Sequence, residues 1–274
     1  MTRSIGFIGL GNMGKPMAIN LARAGFPLTV YDVRSEPLAE LAALGAHVAR
    51  STREVGERCE IIETVVVDDG QVEAVMLGTG VGDGVLAGAG EGAILVIHST
   101  ISPLTCHKIA AAARLKAVQV LDAAVSGAEE RSVAGTLSLM VGGEPEAVEA
   151  CQPVFEVLGE KTYHVGALGQ GLAAKLCNNL MLLANMQTLE EALRLAGAAG
   201  LAEETMVEIA SASTGDSWAV RNLFAMREMM QKHPQGVAGA RQIGLKDLSL
   251  AAKMARELEL DAPIAEFFAG RPWT

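Results

Sequence analysis

The 274-residue chain lacks the residue patterns typical of metal sites and of nucleic-acid binding. Its four cysteines stand singly, without a CxxC pair, and its five histidines show no metal-ligand spacing. Lysine and arginine (22) are outnumbered by aspartate and glutamate (32), and the basic residues form no run that would follow a phosphate backbone. We therefore expect no metal centre and no nucleic-acid partner.

The chain also has little that predicts export or insertion into a membrane. Glycines interrupt the amino-terminal apolar run at once, so the long apolar core of a signal peptide is missing. The most apolar later stretch, residues 176–195, is interrupted by asparagine, glutamine and glutamate, which a membrane span would not carry. These absences predict no membrane partner, reduced thiols and a cytoplasmic protein.

Half of the residues are hydrophobic and a fifth are charged, which is typical of a globular chain. Short β-like runs at residues 4–8, 28–31, 61–67, 93–97, 118–121 and 137–141 alternate with helical patterns at 13–24, 36–44, 71–77, 103–115 and 145–158. Residues 78–92 are rich in glycine and are predicted to form a loop. From residue 168 onward the pattern is helical almost to the end. The alternation predicts βαβ units, hence an α/β domain with a doubly wound, mainly parallel sheet at residues 1–165, followed by an all-helical domain at 166–274.

A glycine-rich motif, GLGNMG, lies between the first predicted strand and the first predicted helix. It comprises Gly9, Leu10, Gly11, Asn12, Met13 and Gly14. In a Rossmann-type fold the first glycine of GxGxxG permits a tight turn, the second lets a pyrophosphate approach the backbone, and the third lets helix and strand pack closely. A tight turn with a helix cap is the structural alternative. The strand and helix on either side favour a dinucleotide-binding loop.

Asp32 follows the second predicted strand, where a carboxylate can accept hydrogen bonds from an adenosine ribose. The same negative charge repels a 2′-phosphate, so Asp32 predicts NAD rather than NADP. Arg34 lies two residues later and could accommodate that phosphate, which leaves NADP open. A solvated residue at the end of a strand is the structural alternative for Asp32.

Four further segments, in this order, resemble the β-hydroxyacid dehydrogenase family. They are STISP at residues 99–103, DAAVSG at 122–127, GQGLAAKLCNN at 169–179 and LKDL at 245–248. The family includes 3-hydroxyisobutyrate, tartronate semialdehyde and 6-phosphogluconate dehydrogenases. The resemblance implies a Rossmann-type amino-terminal domain, a helical carboxy-terminal domain that commonly builds dimers or tetramers, and an active site between the two. It further implies a small carboxylic acid as substrate.

The resemblance also implies roles for residues on both sides of the site. Thr100 would lie near the nicotinamide ribose, and Lys246 would close over the cofactor. Ser126 and Gly127 would receive the substrate carboxylate, together with the backbone N–H of Ala128. This last loop departs from the family's DxPVSGG, because it has no proline and carries Ala128 in place of a glycine. The added methyl group trims the pocket, and it leaves the identity of the substrate open.

Lys175 and Asn179 would surround the reacting carbinol. Oxidation of an alcohol requires a proton acceptor for the hydroxyl while hydride leaves the same carbon, and the reverse reaction requires a proton donor. Lys175 lies in the first turns of an otherwise apolar helix, and Asn179 follows four residues later on the same helical face. The structural alternatives are a lysine whose stem packs at a helix start and an asparagine that packs between helices.

Three functions remain open at this point. The leading one is an NAD-dependent dehydrogenase or reductase of a small β-hydroxy acid or its semialdehyde. An imine reductase on the same scaffold is the second, although such enzymes typically carry another residue in place of Lys175. A catalytically inactive dinucleotide-binding module is the third. We also expect a homodimer or homotetramer, because residues 172–195 are hydrophobic nearly all round and need cover on every side.

Overall fold

The computed structural model describes residues 3–80, 83–233 and 235–271. The chain divides into two compact units, Met1–Lys175 and Leu176–Thr274. The second unit begins inside a long helix, whereas the domain boundary predicted from the sequence, between residues 165 and 166, precedes that helix.

The described part of the first unit contains one eight-stranded sheet. In chain order its strands are β1 (Ile5–Ile8), β2 (Leu28–Tyr31), β3 (His47–Val48), β4 (Ile61–Thr64), β5 (Ile94–Ile97), β6 (Gln119–Ser126), β7 (Leu137–Gly142) and β8 (Gly159–Gly166). Their order across the sheet is β3-β2-β1-β4-β5-β6-β7-β8. The first six are parallel, β7 runs antiparallel to β6, and β8 runs parallel to β7. The predicted Rossmann-type, mainly parallel sheet is confirmed.

The strand order reverses between β1 and β4. In open α/β sheets, ligands bind outside the carboxyl ends of the strands at such a reversal. Residues 9–14 follow β1 directly and therefore lie at this crevice.

The helices of the first unit are α1 (Gly14–Arg23), α2 (Ser35–Ala43), α3 (Thr52–Arg58), α4 (Asp69–Leu77), α5 (Val85–Gly88), α6 (Pro103–Arg114), α7 (Ala128–Ala134) and α8 (Pro145–Leu158). The first turn of α9 (Gln170–Ala198) also belongs to this unit, and the rest of that helix belongs to the second. The second unit continues with α10 (Glu203–Ser211), α11 (Trp218–Arg221), α12 (Leu223–Lys232), α13 (Gly236–Glu257) and α14 (Pro263–Ala269). The predicted helical carboxy-terminal region is confirmed.

Several details of the sequence prediction are wrong. The loop predicted over residues 78–92 contains α5, and residues 81 and 82 lie outside the described residues. β6 continues past residue 121 to Ser126, because its antiparallel partner β7 extends the pairing. The edge strand β8 was missed since most of its residues are at least partly exposed, so it lacks the apolar alternation of a half-buried strand. The two-residue β3 and the helices α3 and α7 were also missed.

Both faces of the sheet are covered by apolar side chains. Phe7, Met17 and Phe155 belong to one cluster, which β1, α1 and α8 build together. Met76 and Leu95 belong to the cluster on the other face, together with side chains of α3, α4 and α6. Because side chains alternate along a strand, a sheet buried on both faces needs continuous hydrophobic runs, and β1, β4 and β5 are buried at every position.

Two ionisable side chains are buried inside this apolar core. The carboxylate of Glu63 contacts His98 Nε2, and neither side chain is exposed to solvent. His98 Nδ1 lies 2.6 Å from the carbonyl oxygen of Ala123. A carbonyl can only accept, so Nδ1 donates the hydrogen in this contact. His98 is therefore a core residue with a hydrogen-bond partner at each ring nitrogen.

The helices of the second unit enclose smaller apolar clusters. Leu189, Leu223 and Met226 belong to the largest of these, which α9 shares with α10, α11 and α12. Leu176 packs with Leu250, so that α9 and α13 share a second cluster. Across residues 3–80, 83–233 and 235–271, no helix is long and apolar enough to cross a membrane.

Candidate active site

The glycines of the motif at residues 9–14 meet different steric requirements. Gly9 adopts φ +92°, and a Cβ there would lie 2.0 Å from the carbonyl oxygen of Val65. A Cβ on Gly14 would lie 2.0 Å from the carbonyl oxygen of Gly9. A Cβ on Gly11 would meet nothing within 4 Å, so the backbone there faces open space. Only glycine fits the first and third positions, and the second is open to a ligand.

The loop leads into α1 without a capping side chain and without an acidic residue in the first turn. The first N–H groups of a helix have no partner within the helix and, with the helix dipole, favour an anion. A cavity of about 430 Å³ lies beside them, lined in part by Leu10, Gly11, Asn12, Lys15 and Arg34. The backbone conformation, the open space at Gly11 and the uncapped helix start all fit a dinucleotide pyrophosphate.

Asp32 follows β2 and holds the glycine loop in place. Its Oδ2 accepts the N–H of Leu10 at 2.6 Å, and its Oδ1 accepts the N–H of Arg34 at 2.8 Å. The guanidinium of Arg34 pairs with the same carboxylate at 3.1 Å and donates to the carbonyl oxygen of Leu10 at 2.8 Å. Burial alone would raise the pKa of Asp32, but the hydrogen bonds from Arg34 and Leu10 outweigh it and hold the pKa below its usual value. Asp32 and Arg34, predicted to have opposing effects, thus form one ion pair.

The segment between β5 and α6 carries Thr100, which is half-buried. The neighbouring Ser99 is buried, and its hydroxyl accepts the N–H of Val66 at 2.8 Å. This bond joins the segment after β4 to the segment after β5. The structure therefore places Thr100 at the carboxyl edge of the sheet, the same edge at which the glycine loop lies.

Ser126 ends β6 opposite Ser138 of β7, and Gly127 turns the chain into α7. Gly127 has φ +139°, and a Cβ there would lie 2.7 Å from the Cβ of Arg131, so glycine is required. Ala128 is exposed and has φ +56°, a left-handed conformation that costs a residue with a Cβ about 1–2 kcal/mol. The alanine that departs from the family's second glycine therefore occupies a strained backbone position.

Asp122 of β6 holds the start of α9. Its Oδ1 accepts the N–H of Gly169 at 2.7 Å and its Oδ2 accepts the N–H of Leu172 at 2.6 Å. Burial raises the pKa of Asp122, and these two N–H groups oppose the shift because they stabilise the anion. Lys175 lies three residues after Leu172 on the same helix and is half-buried. The carboxylate thus fixes the helical turn from which Lys175 projects.

In the second unit, Asn179 is buried and its amide donates to Asp247 Oδ2 at 2.6 Å. Asp247 is buried on α13, and its other oxygen lies 3.0 Å from the ammonium of Lys246. Lys246 lies in the interior of α13. The hydrogen bond between Asn179 and Asp247 joins α9 and α13, and Asp247 thereby contacts both Asn179 and Lys246.

Sequence reasoning assigned no role to Asp122 or to Asp247. Both lie inside motifs that were quoted, and both are buried acids, which are seldom found without a partner. Their partners are 47 and 68 residues away along the chain, so no local pattern reveals them.

Two family models match the chain over most of its length. Residues 4–166 match the NAD binding domain of 6-phosphogluconate dehydrogenase. Residues 169–270 match the model described as NAD-binding of NADP-dependent 3-hydroxyisobutyrate dehydrogenase. The fold, the glycine loop and these matches define a nicotinamide-dinucleotide-binding oxidoreductase.

Relatives with named activities cover nearly the whole chain. The NAD-dependent L-serine dehydrogenase of Pseudomonas aeruginosa is 37% identical over 96% of this chain and 88% of its own. The 2-(hydroxymethyl)glutarate dehydrogenase of Eubacterium barkeri is 39% identical over 95% of this chain and 85% of its own. The solved structure of Mycobacterium tuberculosis 3-hydroxyisobutyrate dehydrogenase with L-serine is 30% identical, with a TM-score of 0.83 over 98% of this chain and 92% of that one. The chain belongs to the β-hydroxyacid dehydrogenase family.

Proposed function

We propose that the chain is an NAD-dependent dehydrogenase of a small β-hydroxy acid, or a reductase of the corresponding semialdehyde, with Lys175 as the general acid and base. The observation that carries the proposal is the Asp122 carboxylate, which fixes the first turn of α9 through Gly169 and Leu172. A catalytic ammonium needs a fixed backbone from which its side chain extends, since a small displacement of the reacting groups costs much of the rate.

The names of the relatives support a substrate class. L-Serine, 2-(hydroxymethyl)glutarate and 3-hydroxyisobutyrate all contain a primary alcohol on the carbon next to the one that bears the carboxylate. They differ only in the substituent on that middle carbon. The proposed substrate of this chain is therefore a 2-substituted 3-hydroxypropanoate, and its substituent stays open.

The proposed site divides the chemistry among its residues. A bound nicotinamide would supply the hydride acceptor for oxidation of the carbinol carbon and the hydride donor for the reverse reaction. Lys175 accepts the hydroxyl proton at Nζ as hydride leaves, and it donates that proton to the oxygen in the reverse direction. The amide of Asn179 orients the hydroxyl without adding charge. Ser126 and the N–H groups of Gly127 and Ala128 receive the substrate carboxylate.

The remaining proposed contacts hold the cofactor. Residues 9–14 and the start of α1 receive the pyrophosphate, and Asp32 receives the adenosine ribose. Thr100 lies near the nicotinamide ribose, and Lys246 closes over the bound dinucleotide. The close backbone packing at Gly9 and Gly14 and the open space at Gly11 support the assignment of the pyrophosphate.

Lys175→Ala should lower kcat by about a hundredfold or more, because general acid–base catalysis typically contributes a factor of this size. The affinity for NAD should stay nearly unchanged, since the lysine is assigned to the alcohol and not to the dinucleotide. The measurement is NADH formation at alkaline pH with a panel of 2-substituted 3-hydroxypropanoates, beside an NAD titration of each variant.

The matched control is Lys253→Ala, which removes an exposed lysine from α13 that pairs only loosely with Glu257 at 3.8 Å. It should leave kcat at the wild-type value. If Lys175→Ala kept more than about a tenth of the wild-type kcat, Lys175 would lose its proposed role. Faster turnover of cyclic imines than of any semialdehyde would replace the proposed reaction by imine reduction.

NAD should be preferred to NADP by about tenfold or more in kcat/KM, because repulsion between the Asp32 carboxylate and a 2′-phosphate is worth on the order of 1–4 kcal/mol. Asp32→Ala should bring the kcat/KM values for NAD and NADP closer together. The lowered pKa keeps Asp32 ionised throughout the neutral and alkaline range, so the preference for NAD should be the same at pH 8 and at pH 9, where the 2′-phosphate is also fully ionised. Steady-state kinetics with both cofactors give the answer.

Arg34→Ala serves as the matched variant for the cofactor prediction. Arg34 partly neutralises Asp32, so its removal should sharpen the preference for NAD. A clear advantage for NADP in the wild-type chain would contradict the assignment, and its loss in Arg34→Ala would then identify the arginine as the phosphate ligand.

We also propose that the chain forms a homodimer or homotetramer through its helical unit. On α9, Met181 and Leu195 are 62% and 72% exposed in the single chain. Trp218 and Phe224 are more than half exposed in the same unit. Such side chains are commonly covered by a second copy. Light scattering at micromolar concentration should give a mass of at least twice the 28.5 kDa of one chain, and a stable, active monomer would refute the proposal.

A further inference from the structure

One buried hydroxyl joins the two loops to which the proposed function assigns the cofactor and the substrate carboxylate. Ser132 lies on α7, the helix that begins at Ala128, and it is not exposed to solvent. Its Oγ donates to the carbonyl oxygen of Met13 at 2.8 Å. Met13 is the residue before α1 and belongs to the glycine loop.

A second contact links the same two helices in the opposite direction. The amide of Asn20, on α1, donates to the carbonyl oxygens of Ser132 at 2.9 Å and of Val133 at 3.4 Å. The last carbonyls of a helix have no partner within that helix, so Asn20 satisfies the end of α7. Each helix thus supplies a hydrogen bond to an end of the other. We call the Ser132–Met13 and Asn20–Ser132 contacts the loop clamp.

The geometry at Met13 shows that the clamp is not a redundant contact. Within α1, the carbonyl of Met13 accepts the N–H of Met17 at 3.4 Å, which is long for an N–H···O bond. The Ser132 hydroxyl is closer, and a buried hydroxyl that loses its acceptor carries a desolvation cost. The position of the Met13 peptide therefore depends on α7 as well as on α1.

The clamp has a short connection to each proposed ligand loop. On the cofactor side, Met13 is part of residues 9–14. On the substrate side, α7 is preceded directly by Ser126 and Gly127, and its first residue is Ala128. The glycine loop (residues 9–14) and the loop proposed to receive the substrate carboxylate (residues 126–128, here called the carboxylate loop) are more than a hundred residues apart along the chain. The loop clamp therefore connects the two loops directly.

We propose that Ser132 and Asn20 are positioning residues that couple dinucleotide binding to substrate binding, so that each ligand increases the affinity of the other. The inference rests on the proposed function for the identity of the two ligands. Coupling between binding sites is reciprocal, so one measured factor describes both directions. Neither side chain is assigned a contact with the reacting atoms.

The experiment measures the Kd of NAD by calorimetry with and without saturating isobutyrate, which has the carboxylate and branched skeleton but no alcohol to oxidise. In the wild-type chain isobutyrate should lower the Kd of NAD by roughly three- to tenfold, the factor that one buried hydrogen bond carries. In Ser132→Ala the Kd should be nearly the same with and without isobutyrate. In Asn20→Ala the change in the Kd of NAD caused by isobutyrate should be smaller than in the wild-type chain.

Ser51→Ala is the matched control for loss of a serine hydroxyl. Ser51 accepts the N–H of Glu54 at 3.1 Å at the start of α3 and touches neither ligand loop, so this variant should lower the thermal stability and keep the wild-type coupling. A Ser132→Ala protein with undiminished coupling would overturn the inference, as would a wild-type protein that binds both ligands independently. A wild-type protein that binds NAD but not isobutyrate would contradict the proposed function as well.

Discussion

The contact of Asp122 with the start of α9 is the interaction on which the site depends. Two backbone N–H groups donate to one buried carboxylate, at 2.6 and 2.7 Å, and both oxygens are used as acceptors. An ionised carboxylate suits this geometry, because it can only accept. Strand β6 is thereby tied to the helical turn that precedes Lys175. The same strand ends at Ser126, so the proposed proton donor and the proposed carboxylate loop share one anchor.

Glycines make room for this anchor. A Cβ on Gly142 would lie 2.5 Å from Asp122 Oδ1, and a Cβ on Gly171 would lie 2.3 Å from the carbonyl oxygen of Met140. Neither position tolerates a larger residue. The start of α9 can approach the sheet this closely only because Gly142 and Gly171 have no side chain. The glycine loop follows the same logic at Gly9 and Gly14. In both places close backbone packing positions groups that are proposed to bind a ligand.

The sequence predicts well wherever structure follows from a local pattern. Alternation of strands and helices predicts the sheet, and a strand, a glycine loop, a helix and a later acid predict the dinucleotide site. Strand β8 cannot be predicted in this way because it is exposed and polar. Helix α7 cannot be predicted either, because the charged run from Glu129 to Arg131 shows no apolar face. The positive φ of Ala128 also has no sequence signal, since alanine favours ordinary helical conformations.

What remained hidden from the sequence is mostly long-range. Asp122 contacts Leu172, Asn179 contacts Asp247, and Ser132 contacts Met13, and each pair is separated by dozens of residues. A sequence pattern can predict that a polar residue is buried, but only the tertiary structure shows which residue it contacts. The motifs therefore identified the residues proposed to touch ligands, whereas the residues that position them emerged from the structure.

The most direct test of this account is hydrogen exchange at the Gly169 and Leu172 amides in Asp122→Asn, an isosteric change that removes the charge. Exchange at these two amides should accelerate by about 10- to 100-fold, the factor carried by hydrogen bonds to a charged group, while amides of β1 and β4 should keep their protection. The kcat should fall in the same variant because the backbone of the helical turn that precedes Lys175 is no longer held in place. Unchanged exchange at both amides together with wild-type kcat would contradict the claim that Asp122 organises the site.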